Sequence, residues 1–316
     1  MTILFVLAAC TSAPPPTPAP TPTPATQTPA TTDSQPTTTP AGSAVPTPAG
    51  SFEPSPEPSA TAATLDSELI TPGVLEVCLA LVGAPAASIG DDTQPEGYNA
   101  AIASGIAARL GLTAQMEQPL FQELLDTIAA HDCDISVSSQ NITASRLERV
   151  AMIPYSESQQ PILVGIGNPE NIDSLESLCG LAVSTTSGTT HADLVEGTGD
   201  YVGDGLNDLC RVAGEPSIDL RTFETELLAV TQLVEGEVAA YLGNPGFKDQ
   251  FPDFIQYAYA ALPAARQGIA VALDRPLLLA AVESALDDMI ADGTYRQILV
   301  DHLPNDESVD IVSIAD

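Results

Sequence analysis

From Val74 onward the chain alternates short apolar runs with longer stretches whose apolar residues recur every three or four positions. VLEVCLALV (74–82) is apolar, rich in β-branched residues and of strand length. In NAAIASGIAARLG (99–111), Ile102, Ile106 and Leu110 fall at i, i+4 and i+8, with Asn99 as a cap and Gly111 at the C′ position. FQELLDTIAAHD places Leu124, Leu125 and Ile128 on one helical face, and CDISVS (133–138) is then a short strand. The pattern resumes after PYSESQQPILVGI. LCGLAVSTT (178–186) ends in a strand, SGTTHADLVEG opens a helix, and IDLRTF (218–223) is a strand. ELLAVTQLVEG is helical and VAAYLG is a strand. QGIAVAL (267–273) is a further strand, Pro276 suits the first turn of a long helix closed by Gly293, and TYRQILVDHL ends the pattern as a helix. Strands alternating with helices specify a parallel sheet with helical crossovers. The prediction is an α/β fold of two units, joined through Tyr155–Leu163 and again near Ala264–Gln267. Two crossings suggest a hinge.

The N-terminus has a different character. The first nine residues, apolar but for Thr2, end in Leu7-Ala8-Ala9 before Cys10, a short apolar run ending in small residues before a cysteine, as in a secretory signal. No basic residue precedes Arg109, so this leader lacks the usual positive n-region. Residues 11–63 are mostly Pro, Thr, Ala and Ser, with almost nothing apolar and bulky, and hold fifteen of the 28 prolines. Such a segment buries too little surface to offset its ordering entropy, and Pro-rich chain is extended. It is expected to be a disordered tether, with a domain at 64–306 and a tail at 307–316. No later run reaches the ~18 apolar residues of a spanning helix.

Charge and cysteine content exclude some functions. Nine Lys and Arg stand against 42 Asp and Glu, a formal net charge of −33. Nucleic-acid binders need basic patches, so nucleic acid is not an expected partner. Besides Cys10 there are four cysteines, Cys78, Cys133, Cys179 and Cys210, which allow three pairings and suit an oxidising location. No CxxC or CxxH spacing supports metal ligation, and neither a metal nor a cofactor is expected.

One stretch raises a question of charge. In SSQNITASRLER (138–149), Thr143 reads as a helix N-cap, which puts Arg146 in the first helical turn. A cation there opposes the helix dipole at a cost of roughly 0.3–1 kcal/mol. An anion held at that end would satisfy the helix N–H groups and match the guanidinium fork. The competing reading is an ordinary salt bridge, to Glu148 or another acid. Arg149, one turn deeper, is read as structural.

Several segments then carry a resemblance in their order and spacing: GVLEVC, GYNAAIASGIAARLGL, FQELLDTIAAHDCD, ITASR followed by PY, LCGLAVSTTSGTT, GIAV and ADGTYRQI. Together, over about residues 72–303, they resemble the extracytoplasmic solute-binding proteins of the amino-acid type, family 3, which serve ABC importers. The N-terminal Leu-Ala-Ala-Cys likewise resembles a bacterial lipobox, implying cleavage before Cys10 and lipid on its sulfur. The resemblance implies a periplasmic-binding-protein-like fold. Lobe one would hold about 65–158 and 268–306, lobe two about 162–264, with the ligand in the cleft between them. It pairs Cys78 with Cys133 and Cys179 with Cys210. It assigns Arg146 to the ligand's α-carboxylate and places Ser139, Asn141, Thr143 and Phe121 beside it. The Gly188-Thr189-Thr190 turn would approach from the other lobe. His191 is read as a solvated helix residue.

Departures are as informative. Where the family commonly has an acid and an aromatic after its first strand, this chain has Ala80 and Gly83. Asn244 stands at the position of the acid that usually accepts the α-ammonium, and Asp249 is a possible substitute. The expected protein is therefore a monomeric, non-enzymatic receptor for an amino acid or related carboxylate, lipid-anchored to the outer face of a bacterial cell membrane and docking on an ABC permease. The alternative is a sensor or scaffold that keeps the fold without import.

Overall fold

The computed structural model describes residues 65–303, with the exception of residue 92. The leader with Cys10, the tether at 11–63 and the tail at 307–316 lie outside the described residues. Among the described residues no helix is long and apolar enough to cross a membrane.

One eight-stranded mixed sheet organises the domain. Its first part is parallel: β4 (Thr113–Glu117) pairs with β1 (Val74–Cys78), and β1 with β5 (Ile135–Asn141). Its last part is also parallel: β9 (Ala240–Leu242) pairs with β7 (Ala182–Thr186), and β7 with β8 (Asp219–Phe223). A two-stranded ribbon, β2 (Ser88–Ile89) with β3 (Pro95–Glu96), stands apart.

The two parts are joined by strands where connections were expected. β6 (Val150–Gly165) runs 16 residues and β10 (Ile255–Ala272) runs 18, and the two pair antiparallel along most of their length. Register shifts interrupt that ladder at Tyr257/Ala261, Leu262/Ala265 and Gln267/Gly268, in the middle of the crossing. Such irregularities are where a long ladder bends.

Alternation along the strands builds a separate core on each face of each half, as the period of two requires. Ile269 and Val271 pack with Leu75, Ile102, Ile106 and the C-terminal helices, whereas Ala270 and Ala272 face Leu79, Leu124 and Ile128. In the other half Ala240 and Leu242 join Ile162, Val164 and Val183, whereas Tyr241 joins Leu163, Phe247 and Ile255. Each half is thus a lobe with helices on both sheet faces.

The helices follow the apolar spacing with some shifts. α1 (Tyr98–Leu110) is capped by Gly97, so Asn99 is not its cap but a buried residue of its first turn. Gly111 takes the expected left-handed conformation, φ 72°. α2 (Leu124–Ala129) buries Leu124 and Ile128. α3 (Ala144–Leu147) is a single turn. Lobe two carries α4 (Thr190–Glu196), α5 (Leu206–Ala213) and α6 (Glu226–Val234), and the short α7 (Phe247–Gln250). α8 (Pro276–Ala291) and α9 (Thr294–His302) return to lobe one. Disulfides link Cys78 to Cys133 and Cys179 to Cys210, as the resemblance implied. Beneath lobe one, Arg275 Nη1 donates to the fully buried Asp134 Oδ1 at 2.6 Å, and the backbone N–H groups of Ile70 and Glu76 complete the shell of that carboxylate.

Candidate functional site

The lobes enclose a cavity of about 600 Å³. Lobe one contributes Tyr98, Phe121, Ser139, Asn141 and Arg146. Lobe two contributes Thr189, Thr190, His191, Glu226 and Asn244, and the crossing strands contribute Ser156, Glu157, Gln160 and Gln267. The crossing strands are pinned beside the cavity, where Ser156 Oγ donates to Gln267 Oε1 at 2.7 Å.

Arg146 is the main cation of this surface, only 6% exposed. Its Nη1 donates to Asn141 O at 2.9 Å and its Nη2 to Gly188 O, from the other lobe, at 3.1 Å. The guanidinium carbon lies 5.8 Å from the Phe121 ring centre, so Phe121 stacks under the cation. None of the ion pairs among the described residues includes Arg146. Burial pulls its pKa down, and the more distant Asp193, Tyr201 and Asp200 oppose that. A guanidinium remains charged through such a shift.

The expected dipole conflict at Arg146 largely disappears. α3 is one turn long, and the backbone N–H of Arg146 already donates to the Thr143 hydroxyl at 3.3 Å. A macrodipole needs several aligned peptides. What the fold must offset is instead the desolvation of a buried cation. Thr143 and Gly188 do not line the cavity; each reaches it through Arg146. Arg149 pairs with Asp126 on the exterior.

Ser139 sits at the cavity with φ 51°, a left-handed conformation for a non-glycine residue. A closed network holds it. Ser139 N–H donates to Tyr155 Oη at 2.9 Å, Tyr155 Oη donates to Asn99 Oδ1 at 2.7 Å, and Asn99 Nδ2 donates to Ser139 Oγ at 3.0 Å. Burial pushes the Tyr155 phenol well above its usual range, so it stays a donor.

Across the cleft, Thr189 caps α4: its hydroxyl donates to Thr186 O at 2.7 Å and accepts from Ala192 N–H at 3.4 Å. Thr190 Oγ1 accepts from Asn141 Nδ2 at 2.7 Å, tying the lobes together. Gly188 has φ 75°, and a Cβ there would lie 2.7 Å from Gln122 Cα, so the Gly-Thr-Thr turn can approach lobe one only as glycine.

Asn244 makes the second interlobe clasp. Its Nδ2 donates to Val82 O at 2.7 Å, Gly83 O at 3.2 Å and Ala84 O at 3.3 Å, while its Oδ1 accepts from Gly246 N–H at 2.8 Å. A carboxylate could not donate to those carbonyls. Gly83 has φ 87°, and a Cβ there would lie 2.6 Å from the Phe247 ring, so Phe247 fills the space a side chain would need. Ala80 is buried, its N–H donating to Ser138 Oγ at 2.9 Å. Asp249 lines the cavity at an exposed position and pairs with Lys248 at 3.3 Å.

Two lining residues were not anticipated. His191 is not a solvated helix residue: both ring nitrogens are buried without a partner. Burial and then the nearby Arg146 charge push its pKa down to about 4, so it is neutral at neutral pH. Glu226 opens α6 and is 6% exposed, with Oε2 buried and unpartnered. Burial pushes its pKa up to about 8. An acid in the first turn of an amphipathic helix is ordinarily solvated, so no pattern in the chain marks Glu226.

Two lobes, paired crossing strands and a polar cavity around a cation with no acid partner define a cleft-type solute-binding protein. The chain belongs to the bacterial extracellular solute-binding proteins, family 3, whose model matches residues 75–305. It is 24% identical to the probable ABC transporter arginine-binding protein ArtJ of Chlamydia trachomatis serovar D over 209 residues, 64% of this chain and 75% of that protein. A 124-residue segment is 30% identical to membrane-bound lytic murein transglycosylase F of Maricaulis maris, covering 39% of this chain and 27% of that protein. The fold is similar to an ancestral arginine-binding protein bound to arginine, with TM-score 0.65, 24% identity, and 73% of this chain and 98% of that chain covered.

Proposed function

We propose that this chain is the solute-capturing receptor of an ABC importer and that its cavity takes an amino acid or a related small carboxylate. Lipid on Cys10 would hold it to the outer face of the bacterial cell membrane, and the Pro/Thr-rich tether would let a monomeric domain reach the permease. The observation that carries the reading is Arg146: a buried, cavity-lining guanidinium whose hydrogen-bond partners are carbonyls and which makes no direct ion pair with an acid among the described residues. A buried charge of this kind is costly until an anion reaches it. ArtJ, named as an arginine-binding protein, supports an amino-acid ligand. The match to the transglycosylase spans only 27% of that protein, so we read the chain as a binding protein rather than an enzyme.

The test is a thermal-shift screen of the full chain with amino acids, opines, betaines and small organic acids, followed by titration calorimetry of each hit. The hits carry a carboxylate, and Arg146→Ala weakens them by about 3 kcal/mol, roughly 150-fold, the scale of a charge-assisted pair left unmade. Undiminished affinity in that variant refutes the carboxylate role.

A further inference from the structure

We propose that Glu226 is the cation-recognition group of this cavity, so that the ligand is an ammonium-bearing carboxylate whose anionic end meets Arg146 and whose cationic end meets Glu226. The inference rests on the reading of Arg146 given above and adds the other half of the site.

Three acids line the cavity: Glu157, Glu226 and Asp249. Glu157 is half-buried, and Asp249 is exposed and paired with Lys248. Water screens both, and charge recognition is strongest where water is excluded. Glu226 is the buried one, and its Oε2 has no partner. A buried acid in that condition either keeps its proton or acquires a cation. Asn244 spends its amide on the carbonyls of residues 82–84 and offers a ligand no charge.

The backbone makes room for the acid beside Asn244. A Cβ on Gly243 would lie 2.5 Å from Glu226 Oε2 and 2.0 Å from Tyr241 Oη, so only glycine admits both groups there. The groups around the Glu226 carboxyl are the Thr186 hydroxyl of β7, the Tyr241 phenol of β9 and the Asn244 backbone. Elsewhere on the cavity wall the charged and titratable groups are Arg146, His191, Glu157, Lys248, Asp249, Tyr98 and Tyr257. No cation is among the groups that act on the Glu226 carboxyl, and Lys248 pairs with Asp249. With its pKa pushed up to about 8, Glu226 holds a proton at pH 7 in the empty cavity. An arriving ammonium favours the carboxylate, so binding at neutral pH releases that proton to the buffer.

Calorimetry on the full chain tests this with matched probes: each proteinogenic L-amino acid against its desamino acid, in phosphate and in Tris at pH 7. In the wild type the best amino acid binds at least tenfold more tightly than its desamino partner, and its apparent enthalpy differs between buffers by the heat of a released proton. Glu226→Gln, nearly isosteric, erases both the preference and the buffer dependence while retaining the desamino acid within about twofold. Glu226→Asp, with its carboxyl set back, keeps the proton release and narrows the preference. A preference that survives Glu226→Gln overturns the proposal, as does wild-type binding of an amino acid without proton release. If instead Arg146→Ala binds both members of each pair undiminished, it is the carboxylate reading that fails. No binding of any probe by the wild type overturns both.

Discussion

Replacing Asn244 by Asp tests whether this residue acts as a clasp. In the structure one amide nitrogen faces three backbone carbonyls, Val82 O at 2.7 Å, Gly83 O at 3.2 Å and Ala84 O at 3.3 Å, all from the opposite lobe. Aspartate removes the donor and turns a negative group toward carbonyl oxygens. Losing one good hydrogen bond costs about 1 kcal/mol, and leaving its partially buried acceptors unpaired adds about 1–2 kcal/mol more. The closed arrangement is therefore weakened by about 2–3 kcal/mol relative to an open one. A ligand that needs both lobes loses that amount, roughly 30- to 150-fold in affinity. Calorimetry measures the affinity, and small-angle X-ray scattering of the unliganded full chain reports a larger radius of gyration for the variant. Asn244→Ala lacks the repulsion and falls between. Wild-type affinity and compactness in Asn244→Asp would refute the clasp. Tighter amino-acid binding would show that a carboxylate at 244 reaches the ligand instead.

Other outcomes follow from single contacts. Arg275→Leu leaves Asp134 buried and unpaired, which costs about 3–5 kcal/mol, so the thermal midpoint falls by about 10 °C. Arg149→Ala removes an exposed pair with Asp126 and changes stability by less than about 0.5 kcal/mol, an internal control measured in the same melts. Cys179→Ser with Cys210→Ser opens a bridge across 31 residues and destabilises lobe two by about 3 kcal/mol, read by urea denaturation. In the empty protein the Glu226 carboxyl is raised from 4.5 to about 8, so between those values the folded state holds a proton that the unfolded chain has lost. Its contribution to stability is therefore full below about pH 4.5 and falls as the pH rises toward 8. Glu226→Gln removes that part of the slope, which melts from pH 5 to 8 detect.

The parts of the fold that showed in the sequence are those where burial alone decides the residue. β1, β5 and β7 are short runs that are buried along most of their length, and β8, at the sheet edge, packs Leu220 and Phe223 against the cores of lobe two. β4, TAQME, did not stand out because it lies at the sheet edge and alternates exposed with half-buried residues. α5 was missed because its buried side is little more than Leu206 and Cys210. The crossing strands were read as connections for a functional reason. Their central serines and glutamines, Ser156, Gln160 and Gln267, are buried against the cavity, so polar residues stand where a strand pattern calls for apolar ones. Within the site, Arg146 was legible because a rare cation in an acidic chain has to be accounted for. Glu226 and His191 were not, because their depth comes from how α6 and α4 dock, which no local spacing records.

On the proposed reading, Arg146 couples capture to closure through its donor count. A guanidinium carries five N–H donors in one plane. Two contacts are committed, Nη1 to Asn141 O on its own lobe and Nη2 to Gly188 O on the other. Phe121 covers one face of the group. Three donors remain, enough for a bidentate carboxylate while both carbonyl contacts persist. The lobes are also tied by Asn141 to Thr190, and by Ser145 N–H to Asp200 Oδ1 at 2.9 Å. Opening the cleft breaks the Gly188 contact and exposes the guanidinium to water, which lowers its desolvation cost. An empty cleft is thus biased open at this end, because closing buries an unpaired cation. A bound carboxylate removes that penalty and leaves the interlobe hydrogen bonds as net gain. The Asn244 clasp on the other side carries no charge, so the bias toward opening in the empty cleft comes from the Arg146 end.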